Sequence, residues 1–159
     1  MSVCPSPRVV RVALTPRQSL VYGQDGRHRD CAANWLQDPA LAWPADTVTI
    51  GIETDGALSA VVLFNLFMGR GCQVHIATDG ARAWASRGAL SMLFAYPFVQ
   101  CDLARITLPI ARRNIRAQVL ALKLGFSFEG RLAQGWADDD EILMGMTRPD
   151  CPWLASPGE

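Results

Sequence analysis

The sequence predicts an α/β (α+β) fold in which a mixed, mostly antiparallel sheet is flanked by helices. Between residues 47 and 78, three apolar segments show the alternation of strands in a meander. The turn sequences Asp55-Gly56 and Gly69-Arg70-Gly71 separate these segments. Beyond the meander, helical and strand patterns alternate up to residue 147. This order is typical of helices packed on one sheet.

The first part of the chain has weaker patterns. We predict a strand over residues 9–14 and a helix beginning at Thr15-Pro16, because a capping residue followed by proline commonly opens a helix. Residues 22–30 are polar and contain glycine, which predicts a loop. A short helix is expected over residues 31–36, followed by an irregular segment with two prolines from 39 to 47.

The remaining elements follow from periodicity and turn residues. Strands of the meander are predicted at 47–53, 57–67 and 72–78, a helix at 89–98 and a further strand at 104–110. Because Pro109 has no N–H to donate, we expect the last of these strands to be unpaired on one side at that point. Segments 126–133 and 141–147 should pair as a hairpin across the acidic turn ADDDE, residues 137–141.

A further helix is predicted after Asn114, whose side chain can accept a hydrogen bond from a free backbone N–H at a helix start. Gly125 fits the left-handed position just beyond a helix end. Four apolar residues with helical spacing are assigned to the buried face of this helix: Ile115, Val119, Leu122 and Phe126.

Composition favours a single domain over residues 1–159, with residues 1–8 and 150–159 as peripheral tails. Half of the residues are hydrophobic and 19% are charged. The formal net charge is zero, so no overall field attracts nucleic acid or anionic lipid. The most apolar segment, residues 57–69, is too short to span a bilayer. We therefore expect neither nucleic acid nor a membrane as a partner.

Cysteine usage indicates the compartment. The chain has five cysteines without a C-x-x-C pair, and its first residues lack the apolar core of a signal peptide. These features predict a cytoplasmic protein whose cysteines stay reduced and act as small apolar residues. No metal is expected, because the acidic residues 138–141 lack the ligand spacing of a calcium loop and the two histidines are too few for a zinc site.

The C-terminal half resembles the GCN5-related N-acetyltransferase (GNAT) family. Residues 96–106, YPFVQCDLARI, are similar to the branch that acetylates ribosomal-protein N-termini. Residues 146–154, MTRPDCPWL, resemble the closing strand and tail of acetyltransferase-like proteins of phages and prophages. Glu129-Gly130 fits the ending of the last-helix motif of the family. That motif, N-x-x-A-x-x-x-x-x-K-L-G-F, occurs here as Asn114, Ala117, Lys123, Leu124, Gly125 and Phe126.

The resemblance implies where acetyl-CoA would bind. In the family it lies where two central strands splay apart, and these are residues 72–78 and 104–110 here. The backbone of the first strand would pair with the pantetheine arm, and residues 82–88 would take the pyrophosphate. The cofactor-binding residues implied in this way are Val74, Ile76, Ala77, Arg82, Trp84, Arg87, Gly88, Asn114 and Ala117.

Two departures from the family pattern concern this site. Trp84 stands at a position where the pyrophosphate loop usually has glycine, and it is interpreted as an exposed loop residue, a lid or a core residue. Ala121 stands where many members place a proton-donating tyrosine. For Asn114, a capping role alone and a role in cofactor binding both remain open. For Arg82 and Arg87, two interpretations remain open: they are phosphate ligands, or they are solvated surface charges.

Two residues are candidates for the catalytic base. His75, on the first splayed strand, has an ordinary pKa near neutral pH. Glu53, at the end of the first meander strand, is the rival, because carboxylates of the meander often face the substrate in this family. The structural alternatives are a satisfied strand histidine and a surface acid beside a hairpin turn.

The functional hypothesis is an acetyl-CoA-dependent N-acetyltransferase that moves an acetyl group to a primary amine, either a protein N-terminus or a small amine. The alternative is a catalytically inactive binding or assembly module of the same fold, phage-encoded, which the tryptophan at position 84 would allow. A homodimer is among the possible assembly states.

Overall fold

The computed structural model describes residues 9–36 and 42–154, and these residues form one eight-stranded sheet with three α-helices. A π-helical turn, Tyr96–Gln100, extends the second helix, and a short 3₁₀ turn covers Arg148–Asp150. The helices are α1 (Asp25–Trp35), α2 (Arg87–Ala95) and α3 (Ile115–Leu124). The strands are β1 (Val10–Ala13), β2 (Gln18–Tyr22), β3 (Val48–Thr54), β4 (Ala57–Met68), β5 (Gly71–Thr78), β6 (Arg105–Ala111), β7 (Ser127–Trp136) and β8 (Asp139–Thr147).

The sheet has the strand order β1-β2-β3-β4-β5-β6-β8-β7. Every neighbouring pair is antiparallel except β5 and β6, which are parallel. The predicted fold class, a mixed and mostly antiparallel sheet with flanking helices, is therefore confirmed. The meander of β3, β4 and β5 is also confirmed, and its first turn uses left-handed backbone at Asp55 (φ 53°) and Gly56 (φ 83°).

The segment after Thr15 differs from the prediction. It forms β2, which pairs with both β1 and β3, and no helix begins there. The Thr15 hydroxyl accepts hydrogen bonds from the backbone N–H groups of Arg17 and Gln18, so it stabilises a hairpin turn and does not cap a helix. Leu20 and Tyr22 alternate into the core, and this burial favours the strand. The helix begins later, at Asp25, within the segment predicted as a loop.

Helices cover the two faces of the sheet differently. The larger core lies on the face covered by α2 and α3, where Val62, Phe64 and Val74 point from the central strands. On the opposite face, α1 covers a smaller apolar cluster that includes Ala32, Leu63 and Trp43. We call these the α2 face and the α1 face. Because strand side chains alternate, successive residues of β5 point to the α2 face and the α1 face in turn.

The buried face of α3 is not the predicted one. Ile115, Val119 and Leu122 are 61%, 42% and 58% exposed, although Phe126, beyond the helix, is buried as expected. The side that packs on the core carries Ala121 and Leu124, with Ala117 and Leu120 partly buried beside them. Small alanine side chains let the helix approach the sheet closely. A pattern drawn from the large apolar residues therefore selected the wrong side.

The caps of α3 are as predicted. Asn114 Oδ1 accepts a hydrogen bond from the Ala117 N–H at 3.1 Å, and Gly125 has a left-handed φ of 103°. Residues 151–154 contact the core beyond this helix, where Trp153 Nε1 donates to the Leu124 carbonyl at 2.7 Å. Residues 1–8 and 155–159, which belong to the predicted tails, lie outside the described residues, as do residues 37–41, which include the start of the predicted irregular segment.

Three cysteines, Cys31, Cys72 and Cys151, are free thiols. Cys101 is disulfide-bonded, so the expectation that the cysteines stay reduced is wrong for this residue, although its side chain packs against the larger core as a small apolar group. Within the described ranges, no helix has the length and apolar character required to cross a bilayer.

Candidate active site

The central feature of the sheet is a gap between β5 and β6. These strands pair from Gly71 with Arg105 to Gln73 with Thr107, and no further pairing follows, although β5 continues to Thr78 and β6 to Ala111. We call the gap between residues 74–78 and 108–111 the wedge. On both sides of the wedge, the backbone N–H and C=O groups that face the gap have no neighbouring strand to bond.

Pro109 lies on the far side of the wedge. On its other side β6 pairs with β8 along its whole length, including Pro109 with Leu143. The prediction that β6 is unpaired on one side at Pro109 is therefore confirmed. We call the end of the wedge next to the paired residues its narrow end. At the opposite, open end β5 leads into residues 79–86 and β6 leads into the turn before α3.

Side chains of β5 border the wedge on both faces of the sheet. Val74 and Ile76 point to the α2 face, where they contact the larger core. His75 and Ala77 point to the α1 face, and Ala77 is buried there with Leu63. The residues implied for pantetheine binding thus lie on the strand that borders the gap, and their backbone beyond Gln73 is unpaired on that side.

The start of α2 adjoins the open end of the wedge. Ser86 is the capping residue, and its hydroxyl accepts a hydrogen bond from the Ala89 N–H at 3.2 Å. The first N–H groups of the helix, at Arg87 and Gly88, have no acceptor within the helix. A Cβ added at Gly88 would meet no atom within 4 Å. An anion can therefore approach the positive end of α2 closely at this point.

Trp84 is a core residue in this structure. Its side chain is 3% exposed and packs with α2 and the end of α3. Together with Val74, Ile76, Leu124 and Phe126 it borders an apolar cavity of about 10 Å³. Of the three interpretations of Trp84, core packing is the observed one. Only its backbone remains available to a ligand in this conformation.

Arg82 and Arg87 are exposed on either side of Trp84 in sequence. Neither forms an ion pair with another residue in the described ranges. Two guanidinium groups beside the helix start add positive charge where an anion can approach. Asn114 lies across the wedge, at the end of the turn that follows β6. Its Oδ1 caps α3, and its exposed amide nitrogen can donate to a ligand.

His75 lies close to the narrow end of the wedge, two residues beyond the last β5–β6 pair. Its ring meets Trp43 edge-on, with ring centroids 5.5 Å apart. Burial lowers the pKa of His75 from 6.5 to about 4. The imidazole is therefore neutral at pH 7 and has a lone pair to offer, but a lower pKa makes it a weaker base than an ordinary histidine.

Glu53 is not near His75. The strands that carry them, β3 and β5, are separated by β4, and the register places their Cα atoms roughly 17 Å apart. Glu53 is 4% exposed and is paired with Arg11 and with Arg27, the latter at 3.0 Å. Burial opposes ionisation of this carboxyl, but hydrogen bonds and the charges of the two arginines outweigh it and lower its pKa. Ion pairing makes Glu53 a poor proton acceptor.

A hydrogen-bonded group on the α1 face was not anticipated. His28 is fully buried, and its Nδ1 lies 2.7 Å from Thr49 Oγ1. Thr49 Oγ1 donates to Asp25 Oδ1 at 2.9 Å, so it accepts from His28 Nδ1–H. The group joins α1 to β3. A sequence signal existed, since Asp25 and His28 are three residues apart and would share a helix face, but the segment was predicted as a loop.

Glu129 of the resemblance motif has a structural role. It pairs with Arg105 across Gly145 of β8, where an added Cβ would clash with Glu129 Oε1. Two acidic residues of the final hairpin are likewise ion-paired, Asp138 with Arg113 and Asp140 with Arg131. In the described part of the chain, no group of three or more histidine, cysteine, aspartate or glutamate side chains is placed to hold a metal ion.

Solved acetyltransferase structures have the same arrangement of elements. The ribosomal L7/L12 alpha-N-protein acetyltransferase superposes with a TM-score of 0.66 at 14% identity, covering 89% of this chain and 98% of that one. Ribosomal-protein-S5-alanine acetyltransferase from Vibrio fischeri gives a TM-score of 0.67 at 13% identity, with coverage of 92% and 100%.

This chain has the GNAT fold. The spermidine/spermine N-acetyltransferase of Vibrio cholerae has it too, with a TM-score of 0.65 at 18% identity and coverage of 84% and 96%. A further structure of the L7/L12 enzyme, at 13% identity, is a complex with coenzyme A. No protein-family model matches the sequence, and no curated protein matches it either. At these identities the likeness concerns the fold.

Proposed function

We propose that this protein is an acetyl-CoA-dependent N-acetyltransferase that acetylates a primary amine. The wedge is the observation that carries the proposal, because two adjacent strands in the middle of a sheet leave backbone groups unpaired. Such groups are normally satisfied by a neighbouring strand or by a ligand. An extended arm that contains amide groups, such as pantetheine, fits this requirement.

The charges around the wedge fit the rest of acetyl-CoA. Its pyrophosphate would lie at the start of α2, on the N–H groups of Arg87 and Gly88 and near the side chain of Arg82. From there the pantetheine arm would run along residues 74–78 towards the narrow end of the wedge. The arm would thus bring its thioester to the neighbourhood of His75.

The chemistry is a direct transfer. The amine nitrogen attacks the thioester carbonyl carbon, the C–S bond breaks, and the proton lost by the nitrogen is balanced by the one taken up by the thiolate. The protein contributes by placing the two reactants together and by polarising the carbonyl with backbone N–H groups of β5. His75, neutral at pH 7, accepts a hydrogen bond from the amine and orients its lone pair towards the carbonyl.

The acceptor would approach on the α1 face, where His75 and Trp43 border the wedge. A protein N-terminus and a small amine are both candidates. Proteins of the same fold are named for ribosomal-protein N-termini and for spermidine or spermine, which supports either class of amine. We propose a cytoplasmic location for the reaction, since acetyl-CoA and such amines occur together there.

Calorimetric titration with acetyl-CoA, followed by an assay of thiol release with peptides and polyamines, tests the proposal. We expect saturable binding and amine-dependent thiol release. Desulfo-CoA as a competing ligand controls for unspecific thiol chemistry. Binding without thiol release for any amine would favour the inactive module. Absence of binding at millimolar acetyl-CoA would refute the proposal.

A further inference from the structure

Gln18 connects β2 to the loop that precedes α2. It is 6% exposed, which is unusual for a glutamine. Its Nε2 donates to the Ala83 carbonyl at 3.0 Å and lies 3.5 Å from the Trp84 carbonyl. Its Oε1 accepts from the Ser86 hydroxyl at 2.6 Å. A single buried amide therefore contacts three residues of the loop.

We propose that Gln18 is a positioning residue that holds the phosphate-binding loop of the acetyl-CoA site in its binding conformation. This inference rests on the proposed function and adds a residue that lies outside the site. Gln18 would not touch the co-substrate. It acts through residues 83–86, whose backbone it orients.

The first consequence of the contact concerns backbone direction. A trans peptide points the carbonyl of one residue and the N–H of the next to opposite sides. Because Gln18 holds the Ala83 carbonyl towards β2, the N–H of Trp84 points away from β2. The Ala85 N–H bonds to the Arg82 carbonyl, so it is not available to a ligand. Gln18 thereby presents the Trp84 N–H on the outer side of the loop.

The second consequence concerns the helix cap. The Ser86 hydroxyl donates to Gln18 Oε1 and accepts from the Ala89 N–H, so its rotamer is held at both ends. This fixes the direction in which the free N–H groups of Arg87 and Gly88 point. The bond from the Ala85 N–H to the Arg82 carbonyl defines the turn within the loop but does not attach the loop to the sheet. The buried amide of Gln18 supplies that attachment.

The variant Gln18→Met tests the inference, because methionine has a similar length and volume but no hydrogen-bonding group of comparable strength. We expect its affinity for coenzyme A to fall about tenfold or more. Its affinity for pantetheine, which lacks the pyrophosphate and nucleotide, should change less than twofold. A residue with only a structural role would weaken both ligands alike.

Thr47→Val is the matched control. Thr47 is 4% exposed, and its hydroxyl donates to the Pro44 carbonyl at 2.6 Å, so the change also removes a buried bond to a loop carbonyl. Coenzyme A affinity should be unchanged in this variant. If Gln18→Met does not fold, Gln18→Glu keeps the acceptor for Ser86 and removes the donor to Ala83. It should show the same selective loss.

The outcomes separate the two proposals. Suppose that the parent binds coenzyme A, but that the Gln18 variants lose affinity for coenzyme A and pantetheine equally, or lose none. That result would overturn the positioning role and leave the proposed function intact. A comparable loss in Thr47→Val would overturn it as well. Failure of the parent to bind coenzyme A would overturn both.

Discussion

Gly88 is the residue at which a ligand can come closest to the backbone of α2. It is the second residue of the helix, and the space next to its Cα is open. Gly26 has the same position in α1, and the space beside it is open too. These two glycines form a matched pair for testing whether the start of α2 binds phosphate.

We predict that Gly88→Glu weakens acetyl-CoA binding at least tenfold, which corresponds to about 1.4 kcal/mol. The carboxylate would occupy the space left for phosphate and repel its charge. Stability should not fall, because glutamate is a better helix former than glycine and is favourable in a first turn. Gly26→Glu should keep the parent affinity. Calorimetry with both variants measures the difference, and equal affinities would remove Gly88 from the site.

The two histidines link stability to pH. Burial lowers the pKa of both His28 and His75 to about 4, and for His28 the charge of Arg27 adds to this effect. Between pH 6.5 and about 4 the unfolded chain therefore binds more protons than the folded one. Stability is complete above pH 6.5 and is lost as the pH falls towards 4.

We predict that the free energy of unfolding declines over this range, by about 1.4 kcal/mol for each unit by which a histidine pKa is lowered. His75→Gln should remove its share of the decline and leave that of His28. Urea unfolding at several pH values between 4 and 7 measures the slope. An unchanged slope in the variant would mean that His75 titrates normally in the folded protein.

At the scale of elements, α3 shows how a helix face is chosen. The predicted side carries larger apolar residues, but the side that packs carries Ala117, Ala121 and Leu124 at the same i, i+4, i+7 spacing. Both stripes have helical periodicity. The sheet accepts the one with small side chains, because close approach of the helix buries Leu124 and leaves Leu122 in solvent.

Leu124→Ala and Leu122→Ala compare the same chemical change on the two sides of α3. We expect Leu124→Ala to destabilise the protein by about 2–5 kcal/mol, since it leaves a cavity in the core. Leu122→Ala should change stability by about 0.5 kcal/mol or less. Chemical denaturation gives both values. A large loss for Leu122→Ala would restore the face chosen from the sequence.

At the scale of the whole molecule, the wedge divides the sheet into two parts that are joined by a few residues of parallel pairing. Residues 71–73 of β5 are bonded to β6, and residues 74–78 are not. A ligand in the gap would complete the hydrogen bonding of the sheet. Binding should therefore affect one half of β5 and spare the other.

We predict that acetyl-CoA slows amide hydrogen exchange in residues 74–78 and in residues 82–88, with little change in residues 71–73 or in β1 and β2. Exchange measured by mass spectrometry with and without acetyl-CoA gives the pattern. Desulfo-CoA should protect the same segments, since it retains the arm and the phosphates. Protection spread evenly over the sheet would contradict binding in the wedge.

Much of the fold follows from local pattern. The strand-like alternation between residues 47 and 78 and the turn at Asp55-Gly56 predicted the meander. Asn114 and Gly125 predicted the two ends of α3. Pro109 predicted an unpaired strand edge beside the wedge. Each of these features depends on residues that are close together in the chain, so the short segment that forms the feature also contains its physical cause.

Other features depend on residues far apart in the chain, and only the tertiary structure determines which of these residues contact each other. The segment after Thr15 is a strand because it pairs with β1 and β3. Trp84 is buried because it packs against α2 and the end of α3. Glu53 is neutralised by Arg11, 42 positions away, and Gln18 bonds Ser86, 68 positions away. Periodicity and turn chemistry carry no information on such distances, since burial and charge pairing are settled when the elements pack together.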